Sequence, residues 1–144
     1  MIKVKRIDHV AIAVGDCDGA SSGLRALFDL TPGAREMVAA QKTDVAFLHA
    51  NAGHDTAIEL IAPAGNESLG RFLDKRGPGL HHICFEVDDL PAALADLKAA
   101  GVRLIDESPR LGARGHLVAF LHPASTGGVL FELCAPCPPP GAKA

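Results

Sequence analysis

Two halves of this sequence repeat one another at a constant spacing of 73 residues, and this repeat restricts the possible folds more than any other feature. His9 in the first half corresponds to His82 in the second, and Glu59 corresponds to Glu132. Further pairs at the same spacing are Asp16 and Asp89, Leu24 and Leu97, Phe47 and Phe120, His49 and His122, and Pro63 and Pro136. A repeat that keeps its register indicates one structural unit present twice, with a histidine on its first strand and a glutamate on its last.

Each unit is predicted to have the element order β-α-β-β-β. The first strand of each unit alternates large and small residues, and the helix after it can be capped by Asp16 or Asp18 in one unit and by Asp88 or Asp89 in the other. Gly101 supplies the stop of the second helix. In the first unit, a strand of uncertain limits precedes strands over residues 44–50 and 56–62. In the second unit, strands are predicted over residues 102–105, 117–121 and 129–135.

The domain organisation follows from the repeat and from the composition. A chain of 144 residues with 48% hydrophobic content has enough apolar mass for one core, so we predict a single domain over residues 1–137. Module one covers about residues 6–63, a linker helix about 64–78, and module two about 79–136. Residues 138–144, which are rich in proline, are predicted to be a disordered tail.

Composition excludes several classes of protein. The net charge of −3 and the absence of Trp and Tyr argue against a nucleic-acid partner. The chain shows neither a signal-peptide pattern nor an apolar run near the ~18 residues of a membrane span, which predicts a soluble cytoplasmic protein. The four cysteines have no disulfide-framework spacing and are expected to remain thiols, and Cys134-Ala-Pro-Cys137 is interpreted as structural.

Two histidines and two glutamates at matching places form the strongest functional signal. Similar units generally pack about a pseudo-two-fold axis, which would bring His9, Glu59, His82 and Glu132 around one point. Imidazoles and carboxylates without thiolates suit a divalent transition ion rather than a structural zinc site. An octahedral ion would keep two open positions for substrate oxygens and could act as a Lewis acid. The alternative is that these residues merely survive from the duplication.

The other histidines carry weaker predictions. His81 precedes the predicted ligand His82, and strand alternation predicts that it points to the opposite face as a packed or hydrogen-bonded residue. His49 and His122 lie at strand ends and are interpreted as structural. His54 and His116 are predicted loop residues without a further signal.

Several motifs together resemble the methylmalonyl-CoA epimerases of the vicinal-oxygen-chelate superfamily. The resemblance covers about residues 6–135 and is most specific in the second half. Its motifs are Asp8-His-Val-Ala-Ile-Ala-Val14, Glu59-Leu-Ile-Ala-Pro63, Leu80-His-His-Ile-Cys-Phe-Glu-Val-Asp-Asp89, Phe120-Leu-His-Pro123 and Gly127-Gly-Val-Leu130.

The resemblance implies an α+β fold in which two tandem βαβββ modules form a cupped mixed sheet around a divalent metal ion. It implies that His9, His82 and Glu132 are ligands, and that Glu59 is the fourth where family members carry Gln or Glu. The metal would be Co²⁺ in vitro, with Mn²⁺, Ni²⁺, Zn²⁺ or Fe²⁺ as alternatives. The implied reaction interconverts (2R)- and (2S)-methylmalonyl-CoA by abstraction of the C2 proton through a metal-stabilised enolate, and the implied assembly is a homodimer.

The resemblance also assigns proton transfer. Glu132 matches the family carboxylate that acts on one face of the substrate while serving as a ligand. Some members carry a second glutamate where this chain has Val45, and strand alternation predicts that the adjacent Asp44 faces away from the cavity. The second acid/base group therefore has no assigned residue in this sequence.

The sequence leaves alternative functions open and offers several basic residues that could contact an acyl-CoA substrate. A glyoxalase I-like lactoylglutathione lyase is the main alternative, because the same four ligands serve that reaction. A ring-cleaving dioxygenase is disfavoured by the fourth ligand, and a non-catalytic small-molecule binding or resistance protein would not need four ligands. The candidate partners for the phosphates of coenzyme A are Arg71, Lys75, Arg76, Arg110 and Arg114.

Overall fold

The computed structural model describes residues 1–51, 56–138 and 140–141. Both modules have the predicted β-α-β-β-β order, and a helix connects them. The elements of module one are β1 (Arg6–Ala13), α1 (Cys17–Leu27), β2 (Thr31–Val38), β3 (Thr43–His49) and β4 (Ala57–Pro63). The connecting helix is α2 (Glu67–Arg76). The elements of module two are β5 (Gly79–Glu86), α3 (Leu90–Ala99), β6 (Arg110–Leu111), β7 (His116–Leu121) and β8 (Phe131–Pro136).

All the strands belong to one curled mixed sheet with the order β2-β3-β4-β1-β5-β8-β7-β6. The first strands of the two modules, β1 and β5, pair antiparallel at the centre. Each of them also pairs in parallel with the last strand of its own module, so that β1 adjoins β4 and β5 adjoins β8. The sheet is therefore symmetric in topology about its centre, which confirms the fold predicted from the repeat.

The helices cover the two faces of this sheet differently. On one face, α1 packs near Leu48 and Leu60, and α3 packs near Leu121 and Leu133. Burying each such leucine stabilises the fold by roughly 1.5–3 kcal/mol. On the opposite face, Phe47 belongs to a cluster that α2 covers. The second face is only partly covered, which leaves space for a cavity.

Two β-bulges interrupt the pairing of β1 with β5. Ile7 pairs with Phe85 and His9 pairs with Cys84, so Asp8 is the extra residue on β1. Ala11 pairs with His82 and Ile12 pairs with Leu80, so His81 is the extra residue on β5. The two bulged residues occupy equivalent places in the repeat. A bulge interrupts side-chain alternation, so each bulge can turn two neighbouring side chains toward one region.

Side-chain caps begin the three α-helices. The carboxylate of Asp16 accepts hydrogen bonds from the amides of Asp18 and Gly19 at the start of α1. Asn66 and Asp89 serve the same purpose for α2 and α3. A cap of this kind contributes about 1 kcal/mol. The sequence predicted the aspartate caps as alternatives, and the structure selects Asp16 and Asp89.

The predicted strand over residues 102–105 is wrong, because this segment makes only an isolated bridge between Leu104 and Leu121. The amides of Ile105 and Asp106 both donate to the carbonyl of Phe120, and the Asp106 carboxylate accepts the Phe120 amide. These bonds bend the chain, and the edge strand forms later, at Arg110–Leu111. The last strand also starts two residues later than predicted, since the Thr126 hydroxyl donates to the Val129 carbonyl within the preceding turn.

The predicted disordered tail over residues 138–144 falls largely outside the described residues, as does the loop that carries His54. Within residues 1–51, 56–138 and 140–141, none of the helices has the length and apolar character needed to span a bilayer.

Candidate metal and catalytic site

Four buried polar side chains meet at the centre of the sheet, one from each of the adjacent strands β4, β1, β5 and β8. The Nε2 atom of His9 lies 3.1 Å from Glu59 Oε2, 3.5 Å from Glu132 Oε1 and 3.3 Å from the Nε2 atom of His82. His82 Nε2 lies 3.6 Å from Glu59 Oε2 and 3.8 Å from Glu132 Oε2. The structure thus brings together all four ligands predicted from the repeat.

The topology explains this convergence. Glu59 pairs with Ala11 across β1 and β4, and Glu132 pairs with Cys84 across β5 and β8. Ala11 and Cys84 are themselves equivalent in the repeat, so both modules present their glutamate at the same register. Each glutamate therefore stands beside the histidine of its own module, and the antiparallel β1–β5 pair joins the two halves of the site.

The donor set fits a divalent transition ion. Bonds of about 2.0–2.2 Å from such an ion to imidazole nitrogen and carboxylate oxygen place neighbouring ligand atoms roughly 3.0–3.6 Å apart. The distances from His9 Nε2 lie in this range. His9, His82 and Glu132 offer ligand atoms that lie within 4.8 Å of one another, and all three residues are buried. Two neutral imidazoles and two carboxylates would also leave the net charge of the filled site near zero.

The other ring nitrogen of His9 is held by Asp8. His9 Nδ1 lies 2.7 Å from Asp8 Oδ2, and the Asp8 side chain is fully buried. Arg6 and Arg114 both form ion pairs with the Asp8 carboxylate. A carboxylate on the far nitrogen fixes the tautomer and orientation of a metal-binding histidine. Sequence reasoning missed this support, although the acidic residue directly before His9 was a signal for it.

The charges in the site shift several pKa values. Burial lowers the pKa of His9, but the Glu59 carboxylate and the hydrogen bond to Asp8 outweigh it and raise that pKa to about 10. Burial and the neighbouring His9 charge lower the pKa of His82 well below its usual value. Burial raises the pKa of Glu132 to about 7, although the His9 charge opposes this rise. At neutral pH without a metal, His9 therefore carries a proton and His82 is neutral.

His81 also lines the site, which corrects the prediction that it points to the other face. Its ring Nδ1 lies 2.9 Å from the Nδ1 atom of His82, and its ring packs edge-on against Phe72 at 4.9 Å. The bulge at His81 removes the alternation on which the prediction rested. His81 and His82 consequently both line one cavity.

This cavity has a volume of about 420 Å³ and opens above the four converging side chains. Glu59, His82 and Glu132 form part of its lining. Polar side chains of the walls include Gln41, Thr43, Asn66, Ser68, Asp106 and Arg110. The volume is in the range of small-molecule sites, and apolar residues such as Leu69 and Phe120 complete the walls.

The five basic residues named as coenzyme A partners lie in different surroundings. Arg110 lines the cavity, pairs with Asp106 at 2.8 Å and lies over the Phe120 ring. The remaining candidates on α2, Arg71, Lys75 and Arg76, are exposed. Arg114 is instead turned inward. It pairs with Asp8 and stacks over the ring of Phe47 at 4.3 Å, so its interactions within the protein account for its position.

Some family members carry a second acid/base glutamate at the position of Val45, and this chain has no ionisable group there. Val45 is buried in the apolar cluster beneath α2. The neighbouring Asp44 forms an ion pair with Arg35, which confirms that it faces away from the cavity. Asp44 therefore does not replace the absent glutamate, as the sequence predicted.

The cysteines are unbridged thiols among the described residues. Cys134 is buried and Cys137 is exposed, so they do not present a common metal half-site. Cys84 and Cys134 lie behind the site with Asp8, and burial raises the pKa of the Cys84 thiol well above its usual value. A thiol that resists ionisation is a poor nucleophile, which agrees with a structural interpretation.

Comparison with protein families gives a match over residues 8–120 to the Glyoxalase/Bleomycin resistance protein/Dioxygenase superfamily. A mitochondrial methylmalonyl-CoA epimerase of Mus musculus is 41% identical over 91% of this chain and 73% of its own length. An ethylmalonyl-CoA/methylmalonyl-CoA epimerase of Cereibacter sphaeroides is 39% identical over 90% of this chain and 97% of its own.

Solved structures show the same similarity. The methylmalonyl-CoA epimerase of Mycobacterium tuberculosis superposes with a TM-score of 0.89 at 35% identity, covering 99% of this chain and 95% of that one. A variant of the Streptomyces coelicolor enzyme, solved in complex with 2-nitronate-propionyl-CoA, has a TM-score of 0.86 at 33% identity, covering 94% and 100% of the two chains.

Proposed function

The chain belongs to the methylmalonyl-CoA epimerases of the glyoxalase/bleomycin resistance protein/dioxygenase superfamily, and from that premise we propose that it interconverts (2R)- and (2S)-methylmalonyl-CoA. The observation that carries this proposal is the convergence of His9, Glu59, His82 and Glu132, of which Glu59, His82 and Glu132 line a cavity of about 420 Å³. Relatives at about 40% identity include mitochondrial methylmalonyl-CoA epimerases, which supports an isomerase activity.

We propose that these four side chains hold one divalent metal ion, with Co²⁺ as the metal for work in vitro. When bound, the ion would act as a Lewis acid toward the thioester carbonyl and the free carboxylate of the methylmalonyl group and lower the free energy of the enolate. The convergence of two imidazoles and two carboxylates supports this ligand set, and the absence of thiolates among the four donors favours a catalytic site over a structural zinc site.

Glu132 is the proposed base for the C2 proton. It lines the cavity, and burial raises its pKa to about 7. This value applies to the metal-free site; a bound divalent ion would favour the carboxylate form of Glu132, which is the form that accepts a proton. The opposite face of C2 needs a second proton carrier, and Val45 excludes the position that serves this role in some relatives.

The finer features of the protein are also proposals. Ile7 and Leu80 occupy equivalent places in the repeat on the central strands, and 44% and 72% of their respective surfaces are exposed. Such a symmetric apolar pair supports a homodimer, which analytical ultracentrifugation would test. The unbridged thiols support a cytoplasmic enzyme, and the net charge of −3 argues against a nucleic-acid partner.

Proton NMR of racemic methylmalonyl-CoA in D₂O tests the proposed reaction. Co²⁺-loaded protein should cause the C2 proton signal to disappear, and a coupled assay specific for one epimer should confirm epimerisation. Glu132→Gln should lower the exchange rate by at least about 100-fold, the usual range for loss of a general base. Glu107→Gln is a matched control, because Glu107 is exposed, pairs with Lys98 and is not part of the cavity lining.

The possible results separate the proposals. Absence of exchange with folded, metal-loaded wild-type protein would refute the epimerase proposal and direct the next assay to the glyoxalase reaction. Exchange that persists without metal would refute the proposed role of the ion. Equal loss in the Glu132 and Glu107 variants would refute the specific role of Glu132.

A further inference from the structure

The two bulges support the two site histidines in different ways. Asp8 and His81 are equivalent in the repeat, and each contacts the Nδ1 atom of the histidine that follows it, at 2.7 Å and 2.9 Å respectively. Module one thus supports its histidine with a carboxylate, whereas module two uses an imidazole. This difference matters because an imidazole has a second polar nitrogen that remains available for another partner.

The surroundings of the two supporting residues also differ. The Asp8 side chain is fully buried, and Arg6 and Arg114 complete its interactions. His81 is only partly buried and lines the cavity. In the part of the chain that the structure describes, His81 has one hydrogen bond, which joins its Nδ1 atom to His82.

The arrangement of the rings fixes the tautomer of His81. His82 directs Nε2 toward the other three converging side chains, so its hydrogen lies on Nδ1. His81 Nδ1 must then accept that hydrogen, and a neutral His81 carries its own hydrogen on Nε2.

Several polar groups of the cavity walls already satisfy one another. The Thr43 hydroxyl donates to the Gln41 carbonyl and accepts from the Asn66 amide. The Asn66 oxygen accepts the Leu69 amide at the start of α2. The Asp106 carboxylate at the cavity rim is likewise occupied, since it accepts from the Phe120 amide and pairs with a rim arginine. The Nε2–H group of His81 has no hydrogen-bond partner among the described residues, so it is an open donor beside the proposed centre.

We propose that His81 is a substrate-binding residue whose Nε2–H donates a hydrogen bond to an oxygen of the acyl group bound at the four-ligand centre. This proposal rests on the proposed epimerase function. The same ring would accept the Nδ1–H of His82, so His81 would link the substrate to a proposed metal ligand through one imidazole. A donor at this place stabilises negative charge that develops on the acyl oxygen during enolisation.

Two substitutions separate the two contacts of His81. In His81→Asn, the amide oxygen can replace Nδ1 as acceptor for His82, but the shorter side chain does not reach the substrate. In His81→Gln, the longer amide places an N–H group near the original Nε2. We expect His81→Asn to lower kcat/KM for epimerisation by roughly 10–100-fold, the effect of one hydrogen bond to a charged group, and His81→Gln to retain more activity than His81→Asn.

Two further measurements do not depend on turnover. The Co²⁺ affinity of His81→Asn, determined by calorimetry, should stay within about threefold of wild type, because the acceptor for His82 is kept. Long-range ¹H–¹⁵N NMR of Zn²⁺-loaded protein should show His81 protonated on Nε2 and unprotonated on Nδ1.

The opposite tautomer would overturn the proposal, as would an unchanged kcat/KM in His81→Asn. A fall in kcat/KM that is matched by the fall in Co²⁺ affinity would also overturn it, because His81 would then act only through His82. Failure of the proposed function looks different, since wild-type protein would then show no exchange of the C2 proton while the tautomer could still be as predicted.

Discussion

The affinity of the proposed metal site should rise with pH, because metal binding must displace a proton from His9. Its neighbours, chiefly Glu59 and Asp8, raise the pKa of His9 to about 10 against the opposing effect of burial. At pH 7 about one molecule in a thousand then has a neutral His9, which weakens the apparent metal affinity by about 4 kcal/mol. Burial raises the pKa of Glu132 to about 7, so this carboxyl adds a second proton in acidic solution.

The number of protons released is therefore the quantity to measure. Calorimetric titration with Co²⁺ in buffers of different ionisation enthalpy should give about one proton released at pH 8, about 1.5 at pH 7 and close to two at pH 6. Glu59→Gln removes the carboxylate that raises the pKa of His9 most, so fewer protons should be released at pH 8. Glu107→Gln should release as many protons as wild type, because Glu107 is exposed, pairs with Lys98 and does not line the cavity.

A release of no protons at pH 8 would refute this reasoning, because it would mean that His9 is neutral in the metal-free protein. If Glu59→Gln released as many protons as wild type at pH 8, Glu59 would not be the main cause of the raised pKa of His9. Neither result would change the observed convergence of the four side chains, so the experiment tests only the raised pKa of His9.

Three further predictions concern the support of the site and the fold. Arg114→Ala removes an ion pair to Asp8, and metal affinity by calorimetry should fall about 10–100-fold; unchanged affinity would show that Asp8 holds His9 without it. Burial raises the pKa of Asp8, but His9 and Arg114 lower it well below its usual range, so its stabilising contribution is present above about pH 4 and is lost as the pH falls further. Urea unfolding should therefore show that Asp8→Asn costs about 1–3 kcal/mol at pH 7 and less at pH 3, and an equal cost at both values would contradict the linkage. Asp89→Ala should destabilise the protein by about 1 kcal/mol in urea, since the carboxylate caps α3, and a change below about 0.3 kcal/mol would show that the cap is dispensable.

The repeat allowed most of the fold and the convergence of the four side chains to be predicted, because equivalent registers follow from equivalent sequences. Glu59 and Glu132 were expected at equivalent places, and the structure puts them at the same register beside Ala11 and Cys84. The strand at 102–105 was wrong for a different reason. Its apolar pattern is strand-like, but hydrogen bonds with the backbone of Phe120 bend the segment, and a contact between distant segments is invisible to local periodicity.

The position of His81 shows where sequence alternation stops being informative. Alternation predicts that neighbouring residues on a strand face opposite ways, and this holds for Val45 and Ala46, which join different clusters on β3. It fails at Asp8 and His81 because both are extra residues in the pairing of β1 with β5. That pairing joins the two modules, so neither module's own sequence specifies the bulges. The two bulges are nevertheless equivalent in the repeat, and the residues in them differ. One bulge now holds a buried carboxylate behind His9, and the other holds an imidazole at the edge of the cavity.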